Sequence, residues 1–296
     1  MTTSTFDRLL ERVAAGEALP PDEIRELSRT PDVLRIGMLA DGLRRHLHGR
    51  TVTFVRVAVC PFDESFANAV PPAARELRIT GSPEDVAIAE SAVKTAKEVA
   101  GGRTVAAFAW GDIERLGGDA TPRRLLERLR AAGLDAIAEL PLDTIPNLPA
   151  AVGDLRAAGF ERLRLGVARI AAAERTNVLL RAAELQDEFG CIHSLNPLPS
   201  VLSTFRPTTG YEDVKMVAIA RLAAPNIPSI QVDWQRYGPK LAQVALTFGA
   251  DDLYGISASD EAPEGRRRAP LEEIRRNVEA AGFEAVQRDG RFQPLA

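Results

Sequence analysis

Three times the chain writes nearly the same phrase: RAAGLD at 130–135, RAAGFE at 156–161 and EAAGFE at 279–284. Each passes from the end of an amphipathic run to the start of an extended one through a glycine. A helix stops and a strand begins in this way, because glycine takes the positive φ that a helix C-terminus asks for. The first two phrases lie 26 residues apart, the length of one helix–strand unit. Strands separated by helices pair in parallel through right-handed crossovers. Several such units in one chain imply an α/β fold, either a partial or complete TIM-like (β/α) barrel or a doubly wound open sheet. Periodicity does not separate the two.

The pattern is densest over 207–254. Val214, Val217, Ala218 and Leu222 give a helix over 211–222, and the apolar run 227–234 suits a buried strand. Leu241, Val244, Ala245 and Phe248 give a helix over 239–248, closed by Gly249, and a strand starts at Asp251. Upstream, 5–48 reads as three helices, with Pro20-Pro21-Asp22-Glu23 opening the second. Thr51 to Val59 is β-branched, aromatic and alternating, the first strong strand. Residues 61–75 are irregular. Strands are expected at 76–80, 104–110, 134–140, 161–167 and 189–196, with helices over 83–99, 121–132, 147–158 and 171–188. Thr121 is the expected cap of its helix and Pro122 fits its first turn. The reading is one domain over 1–296: a helical cap (1–50), the barrel (51–258), and a C-terminal helix and tail (259–296).

The bulk properties exclude several classes. With 45% hydrophobic residues in 296, the chain can build a large core. A net charge of −4 argues against nucleic acid as a partner. No apolar run approaches a membrane span, and MTTSTFDRLLERV lacks the apolar centre of a signal peptide, so a cytoplasmic protein is expected. Cys60 and Cys191, the two cysteines, follow no metal-ligand spacing.

The runs VAIARL, NIPSIQ, YGPKLAQVALTFGADD and RRAPLEEIRRNVEAAGFEAVQRDGRF, with AAGEALPPDE near the start, resemble the radical S-adenosylmethionine (SAM) enzymes of the futalosine route to menaquinone, aminofutalosine synthase and cyclic dehypoxanthine futalosine synthase. The resemblance implies the barrel rather than the open sheet. It also implies a [4Fe–4S] cluster on a CxxxCxxC loop after the first strand, since soft thiolates ligate the irons. Those cysteines would fall near Phe66, Val70 and Ala73, and no three-cysteine set exists in the chain. The next matching segment begins near Leu77, so the cluster loop and the first crossover helix are expected to be missing together. The glycine run after the fourth strand is replaced by Glu139-Leu140-Pro141-Leu142, and the Gly-His-x-Glu motif after the fifth by 167–173, VARIAAA.

The expectation is therefore a degenerate relative with no iron–sulfur cluster and no SAM cofactor: a pseudoenzyme of menaquinone biosynthesis that binds a metabolite or a partner enzyme. The alternative is a non-radical enzyme acting in the same pocket on a futalosine- or chorismate-derived small molecule, because a fold does not fix chemistry. Barrel sites lie at the C-terminal ends of strands, and the ligand-binding candidates expected there are Glu139, Arg169, His193, Asn196, Gln231, Asp233, Trp234 and Asp252. His193 would serve as a general base if it titrates near neutrality. Gln231 and Asp233 share a strand face. Asp251 and Asp252 face opposite sides, which disfavours a metal between them. Arg266-Arg267-Arg268 reads as a solvated loop. An exposed barrel flank left by a missing helix would have to be covered, so a homodimer, or a heteromer with an intact relative, is expected.

Overall fold

Eight strands run parallel and close on themselves. The computed structural model describes residues 3–62, 66, 70–118, 122–201, 208–259 and 270–295. Helices α1 (Thr3–Ala14), α2 (Pro21–Arg29) and α3 (Val33–His48) precede β1 (Thr51–Pro61) and β2 (Glu76–Thr80). Then follow α4 (Val86–Val99), β3 (Thr104–Ala109), α5 (Trp110–Gly117), α6 (Pro122–Ala132), β4 (Ala136–Pro141), α7 (Leu148–Ala157) and β5 (Leu163–Val167). The second half is α8 (Ala172–Phe189), β6 (Ile192–Pro199), α9 (Gly210–Ala223), β7 (Ser229–Asp233), α10 (Trp234–Leu246), β8 (Asp252–Ser257), α11 (Leu271–Ala280) and β9 (Glu284–Gln287). Strands β1 to β8 pair in sequence order, and β1 joins both β2 and β8, so the sheet is a closed barrel rather than an open one.

The glycines of the repeated phrase do what the sequence asks of them. Gly133, Gly159 and Gly282 have φ of 111°, 89° and 86°, each between a helix and the strand that follows. A Cβ on Gly159 would meet only Arg130 Nε, at 3.9 Å, so a substitution there tests the backbone alone. Gly159→Ala is expected to cost about 1–2 kcal/mol, the strain of a left-handed L-residue, read as a lower urea midpoint with an unchanged m-value.

No helix joins β1 to β2 among the described residues. The apolar flank expected beside 50–80 is not seen among the described residues of that stretch. Phe66 is 3% exposed and Ala74 fully buried, both inside the main core, with Phe62 and Val70 packed against it. The larger exposed hydrophobics, such as Leu34, Met38 and Tyr211, belong to helices instead.

Two elements depart from the sequence reading. Helix α5 follows β3 directly; its two glycines blur the apolar period, and Asp112 Oδ2 accepts the Ala109 amide to start it. Helix α10 begins at Trp234 and kinks at Gly238 (φ 81°), because the residue before Pro239 is pushed out of helical space. The strand start read in the third phrase, EAAGFE, is realised as a ninth strand: β9 pairs with residues 51–54 of β1 on the edge that β2 occupies at 57–61. Thr121 and Arg266–Arg268 lie outside the described residues. No helix among the described residues is long and apolar enough to cross a membrane.

Candidate functional site

Alternation decides what faces the barrel interior. On β2, Leu77 and Ile79 join the core under the helices, which turns Glu76, Arg78 and Thr80 inward. On β7, Ile230 and Val232 do the same, and Gln231 and Asp233 point in, as their shared parity requires. On β5, Leu163 and Leu165 pack outward while Arg164 and Gly166 face the centre. The interior is thus polar, and buried charges have to be paired to be tolerated.

Two pairs close as bidentate forks. Arg164 donates through Nη1 to Glu76 Oε1 at 2.8 Å and through Nη2 to Glu76 Oε2 at 2.7 Å, and the Tyr254 hydroxyl donates to the same Oε1 at 3.1 Å. Arg288 donates through Nε and Nη2 to Asp252 at 2.5 and 2.7 Å, and Gln231 Nε2 adds a third bond at 2.6 Å. Glu76 and Asp252 are both fully buried. Burial pushes the Glu76 carboxyl up, but the Arg164 fork outweighs it and the net position is below the usual range.

Arg78 has no such fork. Its Nη2 lies 3.9 Å from Glu76 Oε1, an oxygen already holding two donors, and its guanidinium rests 4.3 Å above the Tyr254 ring. Nε and Nη2 are buried with no hydrogen-bond partner among the described residues. Desolvation lowers its pKa, the mark of a cation held out of water, with Glu76 pulling the other way. Arg164 and Arg288 hold the two fully buried carboxylates, and Arg78 is left with the weaker pull of Glu76, Asp233 and Glu139.

A cavity opens above it, at the C-terminal mouth. Its wide part, about 610 Å³, is bounded by Arg78, Asp112, Glu139, Asp233, Gln235 and Arg236 among others. A deeper branch of about 60 Å³ runs down past Arg78 and Arg164 to Asn196, Ser200, Gln231 and Tyr254. Asp233 Oδ1 caps α10 by accepting the Arg236 amide at 2.9 Å. Gly255 (φ 71°) leaves room for that carboxylate, since a Cβ would stand 2.8 Å from Asp233 Oδ1. Phe108, also on the cavity wall, has φ of 61°, a strained conformation for a non-glycine residue and one that concentrates at functional sites.

The sequence candidates divide. Glu139, Asn196, Gln231 and Asp233 line this cavity. His193 and Asp252 stand at the opposite, N-terminal end, contrary to the mouth position expected for them. The β5–β6 register slips there, Leu163 facing Ile192 but Arg164 facing Ser194, so His193 has no opposite residue. Its ring lies 4.1 Å from Phe292, and burial, followed by Arg162 and Arg288, depresses its pKa to about 4. It is neutral near pH 7 and stands among arginines, not at the cavity. Trp234 is fully buried and is not among the cavity-lining residues. The Arg169 side chain is exposed, and its amide donates to Asp143 Oδ2 at 2.7 Å. Asp251 and Asp252 do face opposite ways, one bound to Arg221 and the other to Arg288. Arg78, Arg164, Glu76 and Tyr254 were missed. The one signal for them was Glu76 and Arg78 alternating with apolar residues on a strand too short to read firmly.

A [4Fe–4S] cluster does not fit these residues. Phe66 and Val70, which stand where the resemblance puts two cluster cysteines, pack into or against the hydrophobic core. Cys60 and Cys191 are both buried, Cys60 within the core on β1, and no group of three metal-ligating side chains occurs among the described residues.

Residues 196–296 match the family described as the CofH/MqnC C-terminal region. Along nearly the whole chain, 97% of it and 88% of the relative, the protein is 23% identical to cyclic dehypoxanthine futalosine synthase of Streptomyces coelicolor. It is 39% identical over 134 residues to 5-amino-6-(D-ribitylamino)uracil–L-tyrosine 4-hydroxyphenyl transferase of Archaeoglobus fulgidus, a match spanning 41% of this chain and 39% of that enzyme. In fold it is similar to methylornithine synthase (PylB), with a TM-score of 0.68 at 17% identity over 94% of this chain and 97% of that one. The chain is therefore similar in sequence to the futalosine-pathway radical SAM enzymes, and over its last third it matches the CofH/MqnC C-terminal region.

Proposed function

We propose that the protein is a cluster-less member of this lineage that binds an anionic small molecule of the menaquinone route in its barrel mouth, without radical chemistry. The observation that carries the reading is Arg78: a buried guanidinium with two unbonded N–H groups beside a cavity of about 610 Å³. A carboxylate entering the deep branch would meet that cation and supply the missing acceptors, and charge-assisted bonds of this kind are the strong ones. The rim acids Asp112, Glu139 and Asp233 would accept hydroxyl or amine groups on the rest of the molecule and repel a second anionic group. The two-cysteine composition and the packing of Phe66 support the absence of redox chemistry. The homodimer or heteromer expected from the sequence belongs to the same proposal and is read by sedimentation velocity.

The test is a thermal-shift titration of the wild type and Arg78→Met with SAM, futalosine derivatives and chorismate-derived acids. A ligand present at about a hundred times its Kd stabilises by about 2.7 kcal/mol, a shift of several degrees. The expected result is stabilisation of the wild type by a carboxylate-bearing compound and loss of that shift in Arg78→Met. An iron–sulfur absorption band after anaerobic reconstitution with iron and sulfide would overturn the reading.

A further inference from the structure

The barrel floor is closed by the chain's own C-terminal tail, and that closure reaches the mouth through one arginine. After β9 the tail turns under the barrel, where Arg288 is locked bidentate onto Asp252. The Gly290 carbonyl then accepts Arg164 Nη2 at 2.6 Å. Phe292 lies between His193 (4.1 Å) and the Arg288 guanidinium (4.1 Å), with Arg164 at 5.4 Å. Its backbone is held at φ of 63°, a conformation that persists only where packing over-determines it. Arg164 therefore has its floor-side donor engaged by the tail, while its fork occupies both oxygens of Glu76.

We propose that the docked tail holds Arg78 open as an anion receptor by fixing Arg164 on Glu76. The proposal rests on the mouth being a ligand site. With the tail in place, Glu76 has no oxygen free for Arg78, whose Nη2 stays 3.9 Å away. With the tail displaced, Arg164 loses an acceptor and the ring beneath it. Glu76 is then shared, Arg78 turns down onto it, and the donors it offered to the cavity are taken up by an internal carboxylate. Occupancy of the floor and affinity at the mouth are thereby coupled through a shared ion pair, which low-dielectric surroundings strengthen.

Gly290→Ala displaces the tail, because a Cβ there would stand 2.5 Å from Thr104 Cβ; it would also stand 3.0 Å from Glu76 Oε2, so the result must be matched by a variant, Phe292→Leu, that does not meet that carboxylate. Phe292→Leu removes the ring and serves if the first variant folds poorly. In Gly290→Ala, displacement itself is read from His193, whose ring protons lose the Phe292 ring-current shift; in Phe292→Leu, where the ring is gone, it is read from the Arg288 Nε–Hε resonance, which moves when its fork on Asp252 opens. The Nε–Hε resonance of Arg78, assigned by its absence in Arg78→Lys with ¹⁵N-arginine labelling, is expected to move when the tail is displaced. Benzoate, used as the carboxylate probe in calorimetry, is expected to bind the displaced-tail variants about tenfold more weakly than the wild type, a loss of about 1.4 kcal/mol. An unmoved Arg78 resonance with the tail displaced overturns the coupling. So does unchanged benzoate affinity, which would leave the mouth as a ligand site intact. A moved resonance with no benzoate binding to the wild type would keep the coupling and count against the mouth reading.

Discussion

Replacing Asp252 with Asn is expected to cost about 3–5 kcal/mol of folding stability, the range for leaving a buried charge without its partner. Asp252 is fully buried and receives four donors: Arg288 Nε and Nη2, Gln231 Nε2 and Thr53 Oγ1. An asparagine keeps the shape but puts an NH₂ where one oxygen accepted, so a donor faces a donor. Arg288, 1% exposed, is left as a buried cation. The effect spreads because this pair joins β8 to the tail beneath β1, and the tail floor depends on it. Urea unfolding of the wild type and Asp252→Asn measures the difference. A loss under about 1 kcal/mol, typical of solvated ion pairs, would mean that water reaches the floor and that the tail does not seal it.

Glu76→Gln is expected to destabilise by a similar amount, again about 3–5 kcal/mol, and to change the response to acid. Its carboxylate holds Arg164 and stands beside Arg78, so neutralising it leaves two buried guanidiniums facing each other without an anion. The folded carboxyl titrates below its unfolded value, burial opposing and Arg164 prevailing. The stabilisation is then fully present above the unfolded carboxylate pKa, near 4.3, and is lost as pH falls through the lowered folded value. Wild-type stability should decline in that acid window, and the Glu76→Gln variant should lack this part of the decline. Removing the cation as well, in Glu76→Gln with Arg164→Met, should recover part of the loss, since an apolar replacement carries no unpaired charge. A double variant no more stable than the single one would show that packing, not charge, sets the cost.

The sequence by itself determined the path of the chain. Helix and strand are written in local periods, and the glycines at 133, 159 and 282 mark the turns, so both can be read without distant contacts. The lack of a three-cysteine set was equally local: a count of cysteines and the residues at 66, 70 and 73. Gln231 and Asp233 were legible as a pair because strand parity is local too.

Only the tertiary structure decided which charges are spent and which remain. Arg78 is free because Arg164, far along the chain, takes Glu76, and because Arg288, near the end, takes Asp252. His193 and Asp252 sit at the floor, not the mouth, because they are the second and the first residue of their strands: β6 runs Ile192–Pro199, three residues later than the period suggests, and β8 begins at Asp252. A residue's type states what it can bond; which bond it makes is settled by neighbours brought from elsewhere, and in a dry interior those pairings leave Arg78 without a fork.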